Sequence, residues 1–446
     1  MPRLKNQRRL NRKGLIAAFV AVCLVVILGL TAISLDGGGL LDRRRQAQAT
    51  ADAAAMAAAC DLYANFPTYH GVDSGSAAQS ALNVAATNGF TNDTTHSVVT
   101  VNIPPQSGPY TGLNGYVEVL VTWNQPRYFS RIWGTNSVKV TARAVAKGAW
   151  LPGGQGVLVL DYTGKAALSA QGNGYFTDTE GPVIVNSDNA SAVVDGGNGA
   201  LIANQFFITG GATLNGSNAN LQTQPIPGQI FEGVHPTPDP LAYLPEPSKP
   251  SDGTMTHSGS TYTLTPGYYN NLPNFSKNDT VIFQQASASP PGTPVDQKGV
   301  YYIDGGIKST GATIIMDSST TGGVMIYNNS GKVDVTGNPQ GTVTLGPLSN
   351  GPYQGITYFQ ARENSTDIGI QGNGSFTMTG TFYAAGAAMS ATGNGGQYTK
   401  ADGTIGTGSQ IGSQYIVKDL SLAGNGNIHL GYPGNVARDR FLTLVE

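Results

Sequence analysis

An uncharged apolar run near the start of the chain constrains the fold more than any other feature. Residues 15–35 read LIAAFVAVCLVVILGLTAISL, which is 21 residues without a charged side chain. A helix rises about 1.5 Å per residue, so the run covers about 30 Å, the thickness of the hydrocarbon core of a bilayer. The sequence therefore predicts one transmembrane helix at residues 15–35.

The charges that flank this run predict its orientation. The segment 1–14 contains no acidic residue and six basic ones, namely Arg3, Lys5, Arg8, Arg9, Arg12 and Lys13. Because basic flanks stay on the cytoplasmic side, we expect residues 1–14 in the cytoplasm and the bulk of the chain, after residue 36, on the outer side of the membrane. The triplet 43–45 is also basic, which weakens this asymmetry without reversing it.

Two alternatives compete with a retained single-pass helix. A cleaved signal peptide would use Ala32 and Ser34 as its small residues, but the apolar run exceeds the usual length of about 7–15 residues. A type IV pilin leader would need Glu at the fifth position after Gly14, where this chain has Phe19. The sequence therefore favours a membrane anchor that stays attached.

The composition predicts a turn-dense β protein outside the cytoplasm. Charged residues make up 12% of the chain, about half of the usual share, and 60 of 446 residues are Gly. The net charge of −2, with basic residues crowded near the start, leaves no basic field for phosphates and excludes nucleic acid as a partner. The two cysteines, Cys23 and Cys60, predict no disulfide framework, and we expect Cys60 to be buried in an Ala-rich helix.

Residues 36–148 predict a small α+β module next to the membrane. Strong helix formers dominate Leu40 to Leu62, so the membrane helix is expected to continue outward, with Pro67 as its stop. The run of alanines permits close approach of another helix. Apolar alternation and composition predict the remaining elements, which are a second helix at 77–87, strands at 97–103, 116–123 and 137–146, and a short element at 128–133.

The start of this module carries a recognisable motif. The apolar run ends in Leu35-Asp36-x-Gly38, and RRQAQATADAAAMAAA follows at residues 44–59. This pattern resembles the TadG-like N-terminal domain of the Tad (tight adherence, Flp) pilus-assembly proteins. The resemblance implies a role in building or anchoring a surface appendage, with other pilus-assembly or surface proteins as partners. It implies assembly or packing roles for Asp36, Gly38, Gln46, Gln48, Asp52, Ala55 and Ala58.

The remaining residues, 156–446 after a linker at 149–155, predict an all-β domain built from repeats. Gln-Gly-Asn-Gly occurs at 171–174 and again at 371–374, each followed by another Gly-Asn-Gly 21 to 25 residues later. The repeated turn positions are Gly172, Asn173, Gly174, Gly372, Asn373, Gly374, Gly424, Asn425 and Gly426. Such periods predict stacked units, and Gly and Asn suit left-handed turns. We predict a parallel β-helix or solenoid, with an antiparallel β-sandwich as the alternative.

A proline-rich segment interrupts this domain. Residues 225–250 contain eight prolines, which are incompatible with a central strand. The segment is predicted to be an extended strap over the β domain or a linker between domains.

The sequence contains no motif typical of an active site. The five histidines (His70, His96, His235, His257 and His429) are scattered without zinc-ligand spacing, so neither a metal nor a cofactor is predicted. A β-helix enzyme that acts on polysaccharide would need converging carboxylates. In the second half of the chain, Arg362, Glu363 and Asp367 form the one local charge cluster, for which a solvated loop is the favoured interpretation.

Tyrosines leave a glycan-binding role open. Those in the β domain, Tyr268, Tyr269, Tyr301, Tyr302 and Tyr432, are predicted to stack inside the solenoid, with sugar stacking as the alternative. The sequence thus predicts a non-catalytic, membrane-anchored structural protein, and membrane lipid is the partner that its apolar helix contacts. A membrane-anchored polysaccharide-active enzyme and a glycan-binding adhesin are the alternatives, and self-association remains open.

Overall fold

The computed structural model describes residues 13–152, 154–178, 181–215, 220–224, 229–337, 342–372, 375–393, 397–399, 405–431 and 436–446. These residues form two compact units. The first contains the described residues up to Trp150 together with Arg440–Glu446, and the second is Leu151–Asp439.

The first unit is the predicted α+β module. Its elements are the helices α1 Lys13–Tyr69 and α2 Ser76–Thr87, the 3-10 helix η1 Phe129–Trp133, and the strands β1 Ser97–Asn102, β2 Tyr116–Gln125, β3 Val138–Pro152 and, from the end of the chain, β34 Arg438–Leu444. The strands form one sheet in the order β1-β2-β3-β34, in which β1–β2 and β2–β3 are antiparallel. The predicted helices and strands are confirmed. Helix α1 continues two residues past Pro67, and β3 includes the first residues of the predicted linker.

The module folds because small residues on α1 meet a sheet with one apolar face. Val117, Val119 and Val121 alternate on β2 and are fully buried against the alanines of α1. The sheet approaches so closely that a Cβ at Gly148 would overlap the carbonyl oxygen of Ala59.

The second unit is a parallel β-helix, so the predicted fold is confirmed and the antiparallel sandwich is wrong. Its coils are coil 1 (β4 Val157–Val159, β5 Leu168–Gly172, β6 Tyr175–Asp178), coil 2 (β7 Val183–Val185, β8 Val193–Asp195, β9 Ala200–Ala203), coil 3 (β10 Gln205–Ile208, β11 Ala212–Leu214, β12 Asn220–Thr223), coil 4 (β16 Gly267–Tyr269, β17 Phe275–Ser276, β18 Thr280–Phe283), coil 5 (β19 Val300–Ile303, β20 Ile307–Thr310, β21 Thr313–Met316), coil 6 (β22 Met325–Asn328, β23 Val333–Thr336, β24 Thr342–Leu345), coil 7 (β25 Ile356–Gln360, β26 Ile368–Gly372, β27 Ser375–Met378), coil 8 (β28 Thr381–Gly393, β31 Ser409–Ile411) and coil 9 (β32 Gln414–Gly424, β33 Ile428–Leu430). Five further strands lie outside the coils, namely β13 Gln229–Glu232, β14 Met255–Ser258, β15 Thr261–Leu264, β29 Gln397–Thr399 and β30 Ile405–Thr407. Of these, β15 also extends the third face of the β-helix.

Neighbouring coils are joined by parallel ladders on three faces. One sheet covers two faces, because β28 and β32 continue around a corner, and a second sheet forms the third face. Within the described part of this unit, antiparallel pairing occurs in the hairpins β14–β15 and β29–β30. The interior is filled by large apolar side chains such as Phe206, Tyr301 and Phe376, all fully buried.

The coils do not stack in chain order. Coil 1 pairs with coil 9, through Val157 with Tyr415 and Leu168 with Leu420, so the stacking order is 4-5-6-7-8-9-1-2-3. After coil 3 and β13, the chain must therefore return along the whole β-helix to begin coil 4. Nine coils about 4.8 Å apart span about 40 Å. Residues 233–254 make this return, and 22 extended residues reach about 70 Å, which is ample.

Candidate functional site

The first part of α1 exposes an apolar surface on most of its sides. From Ile16 to Leu35 the large apolar side chains are exposed, among them Phe19 at 71% and Val25 at 69%. This is the one helix in the described residues that is long and apolar enough to cross a membrane. So large an apolar surface is unfavourable in water and matches the interior of a bilayer.

The motif residue Asp36 lies at the end of this surface and fixes a second element there. Its carboxylate accepts hydrogen bonds from the backbone N–H of Ser130, at 2.7 Å, and of Phe129, at 3.2 Å. These are N–H groups in the first turn of η1, which have no partner inside that helix. Asp36 thus attaches η1 to α1 directly after the apolar run.

The polar motif residues on the next turns serve α1 itself and one strand. Gln46 donates from Nε2 to Asp42 at 2.8 Å. Gln48 donates to Asp52 at 2.8 Å and to the carbonyl oxygen of Arg143 on β3 at 3.0 Å, so it links the helix to the sheet. Each contact lies within the chain, and none requires a partner protein.

Ala55 and Ala58 pack inside the module rather than against a separate helix. Both are fully buried, in one cluster with Ala81 of α2 and Val119 of β2. The close packing predicted from the alanines is therefore satisfied within the chain. Cys60, expected to be buried, is exposed because it lies on the opposite side of the helix.

Gly38 differs from the other motif residues because nothing in the chain approaches it. A Cβ built on Gly38, or on its neighbours Gly37 and Gly39, would have no atom within 4 Å. Gly inside a helix costs roughly 0.5–1 kcal/mol relative to Ala. The packing of this chain therefore does not explain three consecutive glycines in α1.

A buried ion pair that the sequence did not reveal ties the sheet together. The Glu118 side chain is 1% exposed and lies 2.7 Å from Nε of Arg143, whose NH1 lies 2.7 Å from Glu446. Burial alone would raise the pKa of Glu118, but hydrogen bonds from Ser107, Asn102, Arg143 and the Gln106 amide outweigh burial and lower it to about 2.

The Gly-Asn-Gly turns form a ladder along one corner of the β-helix. Asn173 donates to Asn425 of coil 9 at 3.0 Å and accepts from Asn198 of coil 2 at 3.1 Å. Gly172 has a φ of 117°, and a Cβ there would overlap the carbonyl oxygen of Gly424. The structure thus brings turns from distant parts of the sequence into direct contact. The flanking glycines Gly174 and Gly426 stack in the same way, Gly372 lies against Ser409, and Asn373 and Gly374 lie outside the described residues.

The later part of the proline-rich segment, from residue 236 to residue 250, is the predicted strap and lies along the β-helix. The prediction is wrong for residues 229–232, which contain no proline and form β13 in parallel pairing with β10, and residues 225–228 lie outside the described residues. Thr237 exchanges hydrogen bonds with Asn186 of coil 2, and Asp239 accepts one from the Tyr383 hydroxyl of coil 8. Glu246 accepts one from Tyr327 of coil 6. Leu241 and Leu244 between them are 1% and 2% exposed, within an apolar cluster of the β-helix. The segment therefore crosses the coils one after another.

Arg362 holds this strap, which corrects its assignment to a solvated loop. Its guanidinium donates to the carbonyl oxygens of Leu241 and Leu244, at 2.8 and 2.9 Å, and to the Tyr383 hydroxyl at 2.8 Å. Its side chain is only 28% exposed. Glu363 and Asp367 are exposed, as predicted for a loop.

Asp367 belongs to a row of carboxylates at one corner of the β-helix. This corner separates the first and second strands of each coil, where coils 7, 9 and 1 carry Asp367, Asp419 and Asp161. Burial is the main cause of a raised pKa at Asp419; the charges of Asp161 and Asp367 raise it further, and the charge of Lys418 acts in the opposite direction. In the described part of the chain, no group of three or more His, Cys, Asp or Glu residues could hold a metal ion.

The tyrosines predicted to stack fall into two rows. Tyr269 and Tyr301 are buried in the interior, with ring centroids 6.1 Å apart. Tyr268 and Tyr302 face outward and are half-buried, and the Lys249 ammonium of the strap lies 3.4 Å from the centroid of the Tyr268 ring. The outer row is therefore covered in part by the strap, and Tyr432 lies outside the described residues.

Comparison with known proteins identifies the anchor segment. Residues 14–61 match the family model Tad, described as putative Flp pilus-assembly TadE/G-like. No curated protein and no solved structure matches the chain. The matched residues contain both the exposed apolar run and the motif from Asp36 to Ala58, so the predicted resemblance is confirmed for this segment. With one N-terminal apolar helix and a TadE/G-like segment, the chain fits a membrane-anchored protein.

Proposed function

We propose that this chain is a non-catalytic, membrane-anchored structural component of a bacterial Tad-type pilus or related surface system. The observation that carries the proposal is the coincidence of the TadE/G-like match at 14–61 with the exposed apolar part of α1. In this proposal the apolar run anchors the chain in the inner membrane, and the β-helix is a rigid scaffold on the extracytoplasmic side.

The proposed orientation rests on the charges that precede the span. Residues 1–14 carry six basic side chains and no acidic one, so they remain in the cytoplasm. The β-helix contributes a surface of Gly, Asn, Ser and Thr with few charges, which suits an environment outside the cell.

The anchor is tested by membrane fractionation and protease accessibility on cells that produce the full chain. We expect a membrane-bound chain whose part after residue 36 is digested only from outside. Changing Val22, Val25 and Val26 to Asp should release it, because each charge at mid-membrane costs about 3 kcal/mol. The matched control places Asp at three exposed apolar positions outside the span, namely Val72, Leu113 and Val295. A soluble product that begins near Leu35 would refute the anchor.

The assembly role is tested separately from the anchor. Residues 15–35 are replaced by an unrelated apolar span in one variant, and Gly38 is changed to Leu in another. If the TadE/G-like segment recruits other pilus-assembly proteins, the Gly38→Leu chain should stay in the membrane but lose their co-purification. Unchanged co-purification in both variants would contradict a recruiting role for this segment.

The row formed by Asp161, Asp367 and Asp419 supports a second candidate, a membrane-anchored enzyme that acts on surface polysaccharide. Acid–base hydrolysis needs one protonated and one ionised carboxyl group, and the raised pKa of Asp419, with Asp161 on the adjacent coil, suits such a division. The test is to incubate the detergent-solubilised full chain with a panel of bacterial polysaccharides. Depolymerisation that Asp419→Asn abolishes and Glu363→Gln leaves intact would replace the structural proposal.

A further inference from the structure

The surface around η1 contains exposed aromatic side chains in an unusual place. Tyr128 is 68% exposed and Phe129 is 53% exposed, and Arg131 beside them is exposed as well. Two adjacent exposed aromatic side chains with a basic residue beside them are a combination typical of the membrane–water interface.

The position of these side chains along α1 is fixed by contacts within the module. Both carboxylate oxygens of Asp36 accept hydrogen bonds from η1, and Asp36 follows the last residue of the 21-residue apolar run directly. The level of η1 is therefore the level at which the helix leaves the hydrocarbon core.

A second observation shows that the covered face of α1 begins before Asp36, within the apolar run. Ala32 lies one helical turn earlier on the same face and is only 6% exposed, while Thr31 and Ile33 are exposed. Four residues correspond to about 6 Å along the helix. The covered face of α1 therefore extends from Asp36 into the last turn of the apolar run.

We propose that residues 127–131 form a second membrane contact, in which Tyr128 and Phe129 enter the headgroup region of the bilayer beside the span. This inference rests on the proposed membrane anchor and adds a role for Asp36, which holds the aromatic element at the correct depth. Its ligand is the lipid interface, and Arg131 adds attraction to anionic headgroups. Contact at two points resists tilting and rotation of the module about its anchor, as a single helix cannot.

The test measures the depth of single labels in the full chain. Cys23 and Cys60 are changed to Ala, and a fluorophore is attached at Phe129→Cys. Tyr69→Cys serves as the matched control, because Tyr69 is a similarly exposed aromatic residue 33 residues beyond Asp36 on α1, about 50 Å away. The labelled chains are reconstituted in vesicles of phosphatidylcholine and phosphatidylglycerol. Quenching by nitroxide-labelled lipid is compared with quenching by iodide in the buffer.

We expect the label at 129 to be quenched several times more by the lipid than the label at 69, and several times less by iodide. Changing Asp36 to Ala should reverse most of this difference. Iodide quenching at 129 equal to that at 69 would overturn the inference, and so would a label shielded from both quenchers, which would indicate a protein partner. A label at Val25→Cys separates the two proposals. Lipid quenching at 25 without quenching at 129 removes only the second contact, whereas no lipid quenching at 25 removes the anchor as well.

Discussion

Replacing Arg362 with Met tests whether the proline-rich strap is held by one side chain. The change removes the guanidinium and keeps an unbranched side chain of moderate length. It leaves the carbonyl oxygens of Leu241 and Leu244 and the hydroxyl of Tyr383 without their donor. We expect the strap to open locally while the coils beneath remain folded, because their ladders do not involve Arg362.

The expected change in the free energy of local opening follows from these three hydrogen bonds. A hydrogen bond to a charged group contributes about 1.5–3 kcal/mol when it is buried. The Arg362 side chain is 28% exposed, so water replaces part of each bond, and about 1 kcal/mol per bond is appropriate here. The free energy of local opening should therefore fall by about 3 kcal/mol, which corresponds to roughly 100-fold more frequent opening.

Hydrogen exchange measured by mass spectrometry on the strap peptide reports this opening. The amides of Leu241 and Leu244 are hydrogen-bonded, to Asp239 and to Leu241 respectively, and should exchange roughly 100-fold faster in Arg362→Met. Arg362→Lys keeps the charge but loses the planar donor geometry, so it should lie between the two. Lys308→Met is the control, because Lys308 is exposed on coil 5. Strap exchange in Arg362→Met that equals the exchange of this control would refute the reasoning.

Three further changes test the module and the ladder. Because the folded pKa of Glu118, about 2, lies below its unfolded value of about 4.3, its contribution of about 3 kcal/mol is present above pH 4.3 and is lost as the pH falls toward 2. Thermal unfolding of the full chain in detergent across this range should show that loss, and Glu118→Gln should flatten it. Gly172→Ala should destabilise the β-helix by about 2 kcal/mol or more, since the new Cβ meets backbone on the neighbouring coil, whereas Gly196→Ala, with open space around it, should be nearly neutral in the same assay. Ala58→Leu should destabilise the module by about 1–3 kcal/mol because Ala58 has no free surface, and equal stability of Ala58→Leu and the exposed-site control Ala53→Leu would show that this packing is wrong.

Local patterns were sufficient to predict the elements of the first unit and the fold class of the second. The alternation of Val117, Val119 and Val121 requires one buried face of a strand, and the long apolar run requires a helix, whatever surrounds them. The Gly-Asn-Gly spacing predicted stacked coils, because coils of similar length place the same turn at the same corner. These inferences depend on residues close together in the sequence.

The features that the sequence did not reveal depend on contacts between distant residues. Judged from its neighbours in the sequence, Arg362 resembles a solvated charged residue of a loop. The carbonyl oxygens that accept its hydrogen bonds, however, lie 118 and 121 residues away in the sequence. The alanines of α1 can pack against a sheet of the same chain as well as against a helix of another protein, because a surface of small side chains fits either one. Likewise, nothing in the turn repeat specifies that coil 1 stacks on coil 9, because each coil offers the same kind of edge to either neighbour.

The unusual stacking order becomes intelligible when the connectivity of both units is considered together. The β-helix is inserted between β3 and β34, which are neighbouring strands of the module sheet, about 4.8 Å apart. A β-helix whose coils stacked in chain order would begin and end at opposite ends, about 40 Å apart, which does not suit insertion between adjacent strands. Because coil 1 instead stacks on coil 9, the first and last coils lie side by side in the middle of the stack. The strap makes this arrangement possible, since the chain must return from coil 3 to coil 4, and this explains why a proline-rich segment is held so firmly by Arg362, Leu241 and Leu244.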